Sequence, residues 1–128
     1  MMKADYIADY VGCGSSCQWS EAGLEYRSSL VTQIGGKIQS HQHSYDHTAF
    51  VMRGWWKVRE VMGSGAVLEY QIANGEFQSN DSNFYPVANR ILIPAGHAHE
   101  FTLLGSTGVG EILCIWPSGD LRPSGWAE

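Results

Sequence analysis

Glycine and polar clusters cut this chain into short pieces. Fifteen glycines are spread over 128 residues, and the runs between them are rich in β-branched and aromatic side chains. Runs of this length suit strands, whereas a helix needs about ten or more residues of 3.6 periodicity. Candidate strands are Glu25 to Ile34, Lys37 to His43, Thr48 to Met52, Trp55 to Met62, Ala66 to Ile72, Arg90 to Ile93, His99 to Leu104 and Glu111 to Trp116. Turn signals separate them at Gly35-Gly36, Ser44-Tyr45-Asp46, Arg53-Gly54, Gly63-Ser64-Gly65, Asn74-Gly75, Pro94-Ala95-Gly96 and Gly105 to Gly110. Many short antiparallel strands must dispose of their sheet edges, so the expectation is an all-β fold, a closed or sandwiched barrel.

No convincing helix stands out. Residues 1–24 read as a short helical or irregular arm, and residues 78–89 as a long polar loop whose Pro86 disfavours a central strand. There is no internal repeat and no linker. The expected organisation is one domain over 1–128, with an arm at 1–24, a barrel core at 25–116 and a tail at 117–128. At this length about 65 to 70% of the unfolded surface is buried, enough for one core.

Hydrophobic residues make up 44% and charged residues 16%, too apolar for disorder and too interrupted for a membrane span. Eight Lys plus Arg stand against thirteen Asp plus Glu, a formal charge of −5, and the basic residues are scattered. Nucleic acid and membrane are therefore not expected partners. The start has one Lys, Lys3, two Asp, Asp5 and Asp9, and no apolar core of a signal peptide, so a cytoplasmic protein is expected. Three cysteines give no disulfide framework. Cys114, in the apolar run Ile112 to Trp116, reads as a small buried hydrophobe. Cys13 and Cys17, four apart, form a zinc half-site only if two further ligands exist.

All five histidines fall in two clusters, His41, His43 and His47, and His97 and His99. Residues i and i+2 of a strand share a face, so His41 and His43 project together, and His47 returns across the Ser44-Tyr45-Asp46 turn to face His43. Unpaired imidazoles inside a barrel would cost about 1 to 3 kcal/mol each, and a metal satisfies all of them at once. A solvated polar hairpin and a pH-sensing cluster are the alternatives.

The spacing of these residues resembles the cupin superfamily. Its first motif is Gly, five residues, His-x-His, three or four residues, Glu, six residues, Gly. Here Gly35, His41, His43, His47 and Gly54 fit every interval, with His47 in place of the Glu. The second motif is Gly, five residues, Pro-x-Gly, two residues, His, three residues, Asn. Pro94, Gly96 and His99 fit it, while Ala88 and Leu103 replace its Gly and Asn. The two motifs cover residues 35–103, more than half of the chain.

The resemblance implies a double-stranded β-helix, or jelly roll, and a metal held by His41, His43, His47 and His99. His97, in a variable position of the second motif, is implied to lie in the outer shell around that site. Four neutral imidazoles leave a divalent ion its full +2 charge, which favours anionic ligands. Imidazole ligation suits Fe, Ni, Zn or Cu, and Mn less well. If His41 and His43 face inward, parity places Lys37 and Gln39 beside them; His47 brings Ala49, Val51 and Arg53, and His99 brings Phe101 and Leu103. Tyr26, Tyr70, Trp56 and Phe84 are possible walls.

The expected function is that of a metal-dependent enzyme, dioxygenase-like, acting on a small anionic or enolisable organic molecule. The alternatives are a metal-dependent lyase or isomerase and a non-catalytic small-molecule or sugar-binding cupin. Tyr45, Glu100 and Glu111 are weak catalytic candidates, and the lack of a clear general base favours oxygen chemistry. Pairing of single-domain cupins through sheet edges or terminal arms implies a homodimer.

Overall fold

The strand Leu24–Val31 alternates without a break: Glu25, Arg27, Ser29 and Val31 are buried, and Leu24, Tyr26, Ser28 and Leu30 are half-buried on the other face. That period of two marks a strand with one face on the core. Its polarity is inverted, however, because three of the four buried residues are polar. The remainder of the fold explains why.

The computed structural model describes residues 2–4, 10–11, 14–41, 45–74, 86–106 and 108–117. They form twelve strands: β1 Met2–Ala4, β2 Tyr10–Val11, β3 Gly14–Glu21, β4 Leu24–Val31, β5 Lys37–His41, β6 His47–Arg53, β7 Trp55–Val61, β8 Val67–Ala73, β9 Pro86–Ala88, β10 Arg90–Ile93, β11 Ala98–Gly105 and β12 Gly110–Pro117. There is no helix among the described residues, and so none long and apolar enough to cross a membrane. Two six-stranded sheets result, in the orders β1-β3-β4-β12-β6-β10 and β2-β5-β11-β7-β8-β9. Every pairing is antiparallel except that of β8 with β9, and the chain crosses between the sheets at most steps, from β4 to β5, β6 and β7 and again from β9 to β10, β11 and β12, as in a jelly roll.

Several local expectations change. Gly14–Glu21, expected to be irregular or helical, is a full strand, joined to β4 by the two-residue turn Ala22-Gly23 with φ of 53° and 79°. Positive φ at both turn residues matches the twist of a tight hairpin, and the Ala at the first hid the signal. Pro86 does enter a strand, but β9 is three residues long and lies at the sheet edge, where a missing N–H is tolerated.

Between the sheets the apolar core holds Val31, Ile38, Ala49, Val51, Trp56, Val58, Ile72, Ile93, Phe101, Leu103 and Ile112. Gly54, the last residue of the first motif, has φ of 96°, and a Cβ there would meet Leu103 Cδ1 at 2.9 Å and the Gly105 carbonyl oxygen at 3.2 Å. Only glycine combines that backbone with that approach. At the other end of the barrel, the polar side chains Glu25, Arg27, His47, Glu60 and His99 are buried on the inner faces. The interior is thus graded from an apolar floor to a polar mouth.

Candidate metal centre and its cavity

His47 opens β6 and is 3% exposed; His99 lies on β11 and is 1% exposed. Although they belong to opposite sheets, their rings meet with centroids 4.9 Å apart at 51°. His99 Nδ1 lies 2.9 Å from the His97 carbonyl oxygen, which accepts from Nδ1–H. That bond fixes the tautomer and leaves Nε2 with the lone pair, the arrangement of a metal-ligating histidine held by a backbone carbonyl.

His41 pairs with His99 across the β5–β11 ladder. Three of the four expected ligands therefore belong to one region of the fold; the fourth, His43, lies outside the described residues, as do Cys13 and Phe84. Among the described residues no cluster of three or more His, Cys, Asp or Glu side chains is formed. Asp46 ties the two motifs together, its Oδ1 accepting from Ala95 N–H at 2.7 Å in the turn before His99. That anchors the start of β6 to the turn leading into β11.

The parity expectations hold only up to the first bulge. Opposite β11, His99 pairs with His41 but Phe101 with Ile38, so two residues of β11 span three of β5. Ile38 is therefore the buried residue, and Lys37 pairs with Glu100 at 3.7 Å instead of facing the site. A second irregularity, between Glu111 and Ile112 opposite β6, puts Arg53 outside, where it binds Glu111 at 3.2 Å. Ala49, Val51, Phe101 and Leu103 are buried as expected.

Two of the three weak catalytic candidates are engaged away from the His47–His99 pair. Glu100 pairs in register with Arg59, one position away from the His99 face, and Glu111 is held by Arg53 and Ser28. Tyr45 stays: it is buried, stacks on Trp116 at 5.0 Å between centroids and lines the cavity. Trp56 belongs to the core, and Tyr26 stacks on Trp19 at 5.3 Å on the outer face.

A carboxylate that sequence reasoning missed stands beside the histidines. Glu60 is 5% exposed and pairs in register with His99. One oxygen accepts from the Tyr70 hydroxyl at 2.9 Å, the other from His97 Nδ1–H at 2.5 Å. His97 is thus tied to Glu60 by its ring and to His99 by its carbonyl, in keeping with an outer-shell place. Burial, then the hydrogen bond and negative charge of Glu60, push the Tyr70 phenol above its ordinary value, so it remains a donor. Glu60 shares parity with the buried Trp56 and Val58, which was the available signal.

A small cavity lies under His47, lined by Arg27, Ser29, Ile38, Tyr45, His47, Phe101, Cys114 and Trp116. Its volume of about 10 Å³ is roughly the room one water needs. Burial pushes the Cys114 thiol up to about 12, against the opposing pull of the Arg27 cation. A raised folded-state value means that stability is full below the unfolded thiol value, about 8.5, and falls as pH rises through the folded one. Between about pH 9 and 12, wild type should therefore lose stability that Cys114→Ala retains. At pH 8, peptide mapping should find Cys114 alkylated at least about tenfold more slowly in the folded than in the unfolded protein. Cys17 pairs in register with Ser28 and Cys114 with Arg27, so the two cysteines are on opposite faces of the sheet.

No family model matches the sequence, and no curated protein matches it. Solved structures do. A Bacillus subtilis oxalate decarboxylase (S161A mutant) is 14% identical with a TM-score of 0.68, covering 93% of this chain and 28% of its own. An oxalate oxidase in complex with the substrate analogue glycolate is 15% identical with a TM-score of 0.58, covering 75% and 42%. A conserved protein of unknown function from Streptococcus pyogenes is 15% identical with a TM-score of 0.56, covering 84% and 76%. The fold is the cupin jelly roll. At these identities the likeness concerns the fold, and this chain spans less than half the length of the two oxalate enzymes.

Proposed function

We propose that this cupin domain is a metal-dependent enzyme acting on a small anionic or enolisable organic molecule. The observation that carries this reading is the juxtaposition of His47 and His99 at 4.9 Å, with the His99 tautomer fixed by the His97 carbonyl. The donor set fits a divalent transition ion: buried neutral imidazoles suit Fe, Ni, Zn or Cu, and Mn less well. His41, His43, His47 and His99 would hold it. When bound, such an ion supplies Lewis acidity, and with Fe or Cu also redox chemistry.

The protein's own groups do the rest. Tyr45 and Trp116 wall the cavity. Glu60 and Tyr70 hold His97, and through its carbonyl the ring of His99.

Metal analysis of untagged protein, followed by oxygen uptake of the Fe(II) form with a panel of small acids and diketones, tests this. Near-stoichiometric metal and substrate-dependent oxygen consumption are expected; protein without metal would refute the site. Because the imidazoles must be neutral to bind, metal should be released as pH falls below about 6.

A second reading, lyase or isomerase chemistry, gains from Glu60. A buried carboxylate in register with His99 and hydrogen-bonded to His97 stands beside the histidines, whereas the motif region itself offers no clear general base. Bound metal with no oxygen uptake, but with solvent deuterium entering the substrate, would favour it. A homodimer is part of the proposal and is supported by the half-buried apolar residues Leu30, Phe50, Leu113 and Ile115 on the outer side of one sheet.

A further inference from the structure

Five large apolar side chains are exposed among the described residues: Ile34, Met52, Val67, Leu68 and Leu92. A single exposed leucine or valine on an outer face is ordinary and calls for no partner. Ile34 lies in the turn before β5, and Met52, Val67 and Leu92 are out of phase with the buried Val51, Ile72 and Ile93 on their strands. Leu68 alone is in phase with the interior. Tyr70, next on its face, packs half-buried against the core, and Ile72, one further, is completely buried. The β7–β8 ladder runs in register without a bulge from Trp55 and Ala73 to Val61 and Val67, so the phase is unbroken. An inward-facing side chain that is still 48% exposed stands where the barrel opens.

Register places Leu68 beside the histidines. His41 pairs with His99, His99 with Glu60 and Glu60 with Leu68, so one line of residues crosses β5, β11, β7 and β8. At about 4.8 Å per strand, Leu68 is roughly 10 Å from His99. Glu60 lies between them, 5% exposed, with one oxygen accepting from the Tyr70 hydroxyl and the other from His97 Nδ1–H. Its carboxylate is thus covered and engaged by the protein's own donors. The accessible groups along this line are the His97 side chain, 22% exposed, and Leu68. On the outer face of the same strands the pattern is charged instead: Lys37 meets Glu100 at 3.7 Å, and Arg59 pairs in register with Glu100 and Glu69.

We propose that Leu68 is the specificity-determining residue of the barrel mouth, and that it receives an uncharged apolar substituent of a substrate whose oxygens lie at the His47–His99 pair. This inference rests on the metal-enzyme reading for the place of the polar end. It narrows the substrate class to enolisable molecules that carry such a substituent. A two-carbon acid at the histidines does not span the distance to Leu68. A charged or polyhydroxylated tail would give up water there and meet no donor or acceptor on Leu68 in return, whereas an apolar one gains by leaving water.

The test is calorimetric titration with 1-phenylbutane-1,3-dione and pentane-2,4-dione on wild type, Leu68→Asn and Val67→Asn, each with zinc and after exhaustive chelation. The two diones bring the same pair of oxygens and differ by a phenyl in place of a methyl. Val67 and Leu68 are neighbours, 47% and 48% exposed, on opposite faces of β8, so the two variants remove equally exposed apolar groups and differ in which way they point. The phenyl compound should bind wild type at least about fivefold more tightly than pentane-2,4-dione. Leu68→Asn should reduce that preference below about twofold by weakening the phenyl compound, and Val67→Asn should keep it. In methyl spectra of wild type, the Leu68 resonances should shift with the phenyl compound and those of Val67 should not. A preference that survives Leu68→Asn, an equal loss in Val67→Asn, unmoved Leu68 methyls, or no preferential binding to either form of wild type overturns the proposal. Zinc uptake with equal binding of both diones would keep the metal reading and remove this one. Leu68-dependent binding of the phenyl compound without zinc uptake would do the reverse.

Discussion

His99→Ala is expected to lower divalent-metal affinity more than about 100-fold, and His47→Ala comparably. Removal of an outer-shell partner alone lowers affinity about 10- to 100-fold, so loss of a ligand should exceed that range. Glu60→Gln supplies the graded comparison. It keeps the shape of the side chain but weakens the contact to His97, whose carbonyl orients His99. Its effect should fall in the outer-shell range of about 10- to 100-fold. Zinc titration against a competing chelator measures all three. Equal affinity of His99→Ala and wild type would remove the metal centre, and an unaltered Glu60→Gln would confine Glu60 to structure.

Trp56→Ala should destabilise the domain by about 3 to 5 kcal/mol, a large fraction of the roughly 5 to 15 kcal/mol that such domains have. Trp56 is completely buried, its indole N–H donates to the Arg53 carbonyl at 3.0 Å, and its ring meets Phe101 edge-on at 6.5 Å. It also packs over Gly110, where a Cβ would lie 2.7 Å from Trp56 Cζ2 and 2.5 Å from Leu103 Cδ1. The floor of the barrel is therefore fitted in both directions, and the same packing leaves no space for collapse around a lost indole. Urea unfolding followed by far-UV dichroism gives the difference. A loss below about 1 kcal/mol would show that the floor relaxes, contrary to this packing.

The strand rhythm was legible because glycine and turn residues impose it locally. The resemblance of the histidine intervals to the two cupin motifs implied that the clusters come together, and His47 does meet His99. With His47 and His99 as starting points, Ala49, Val51, Phe101 and Leu103 were assigned correctly to the interior by parity. Lys37 and Arg53 were not, since a bulge opposite each resets the period, and bulges depend on the partner strand. Glu60 and Arg27 were overlooked for a different reason. A charged residue within a strand reads as solvent-facing on its own, and it becomes an interior group only when the opposite sheet closes over it.

Sequence alone thus determined an all-β chain of short strands and the chemical character of its histidines. Tertiary structure decided which polar residues share the interior. It brought β6 and β11 from opposite sheets to place His47 against His99, and it set Arg27 beneath them on β4. Residues 20 and 52 positions apart in sequence meet because jelly-roll crossings set their neighbourhood, and no local propensity encodes such a meeting.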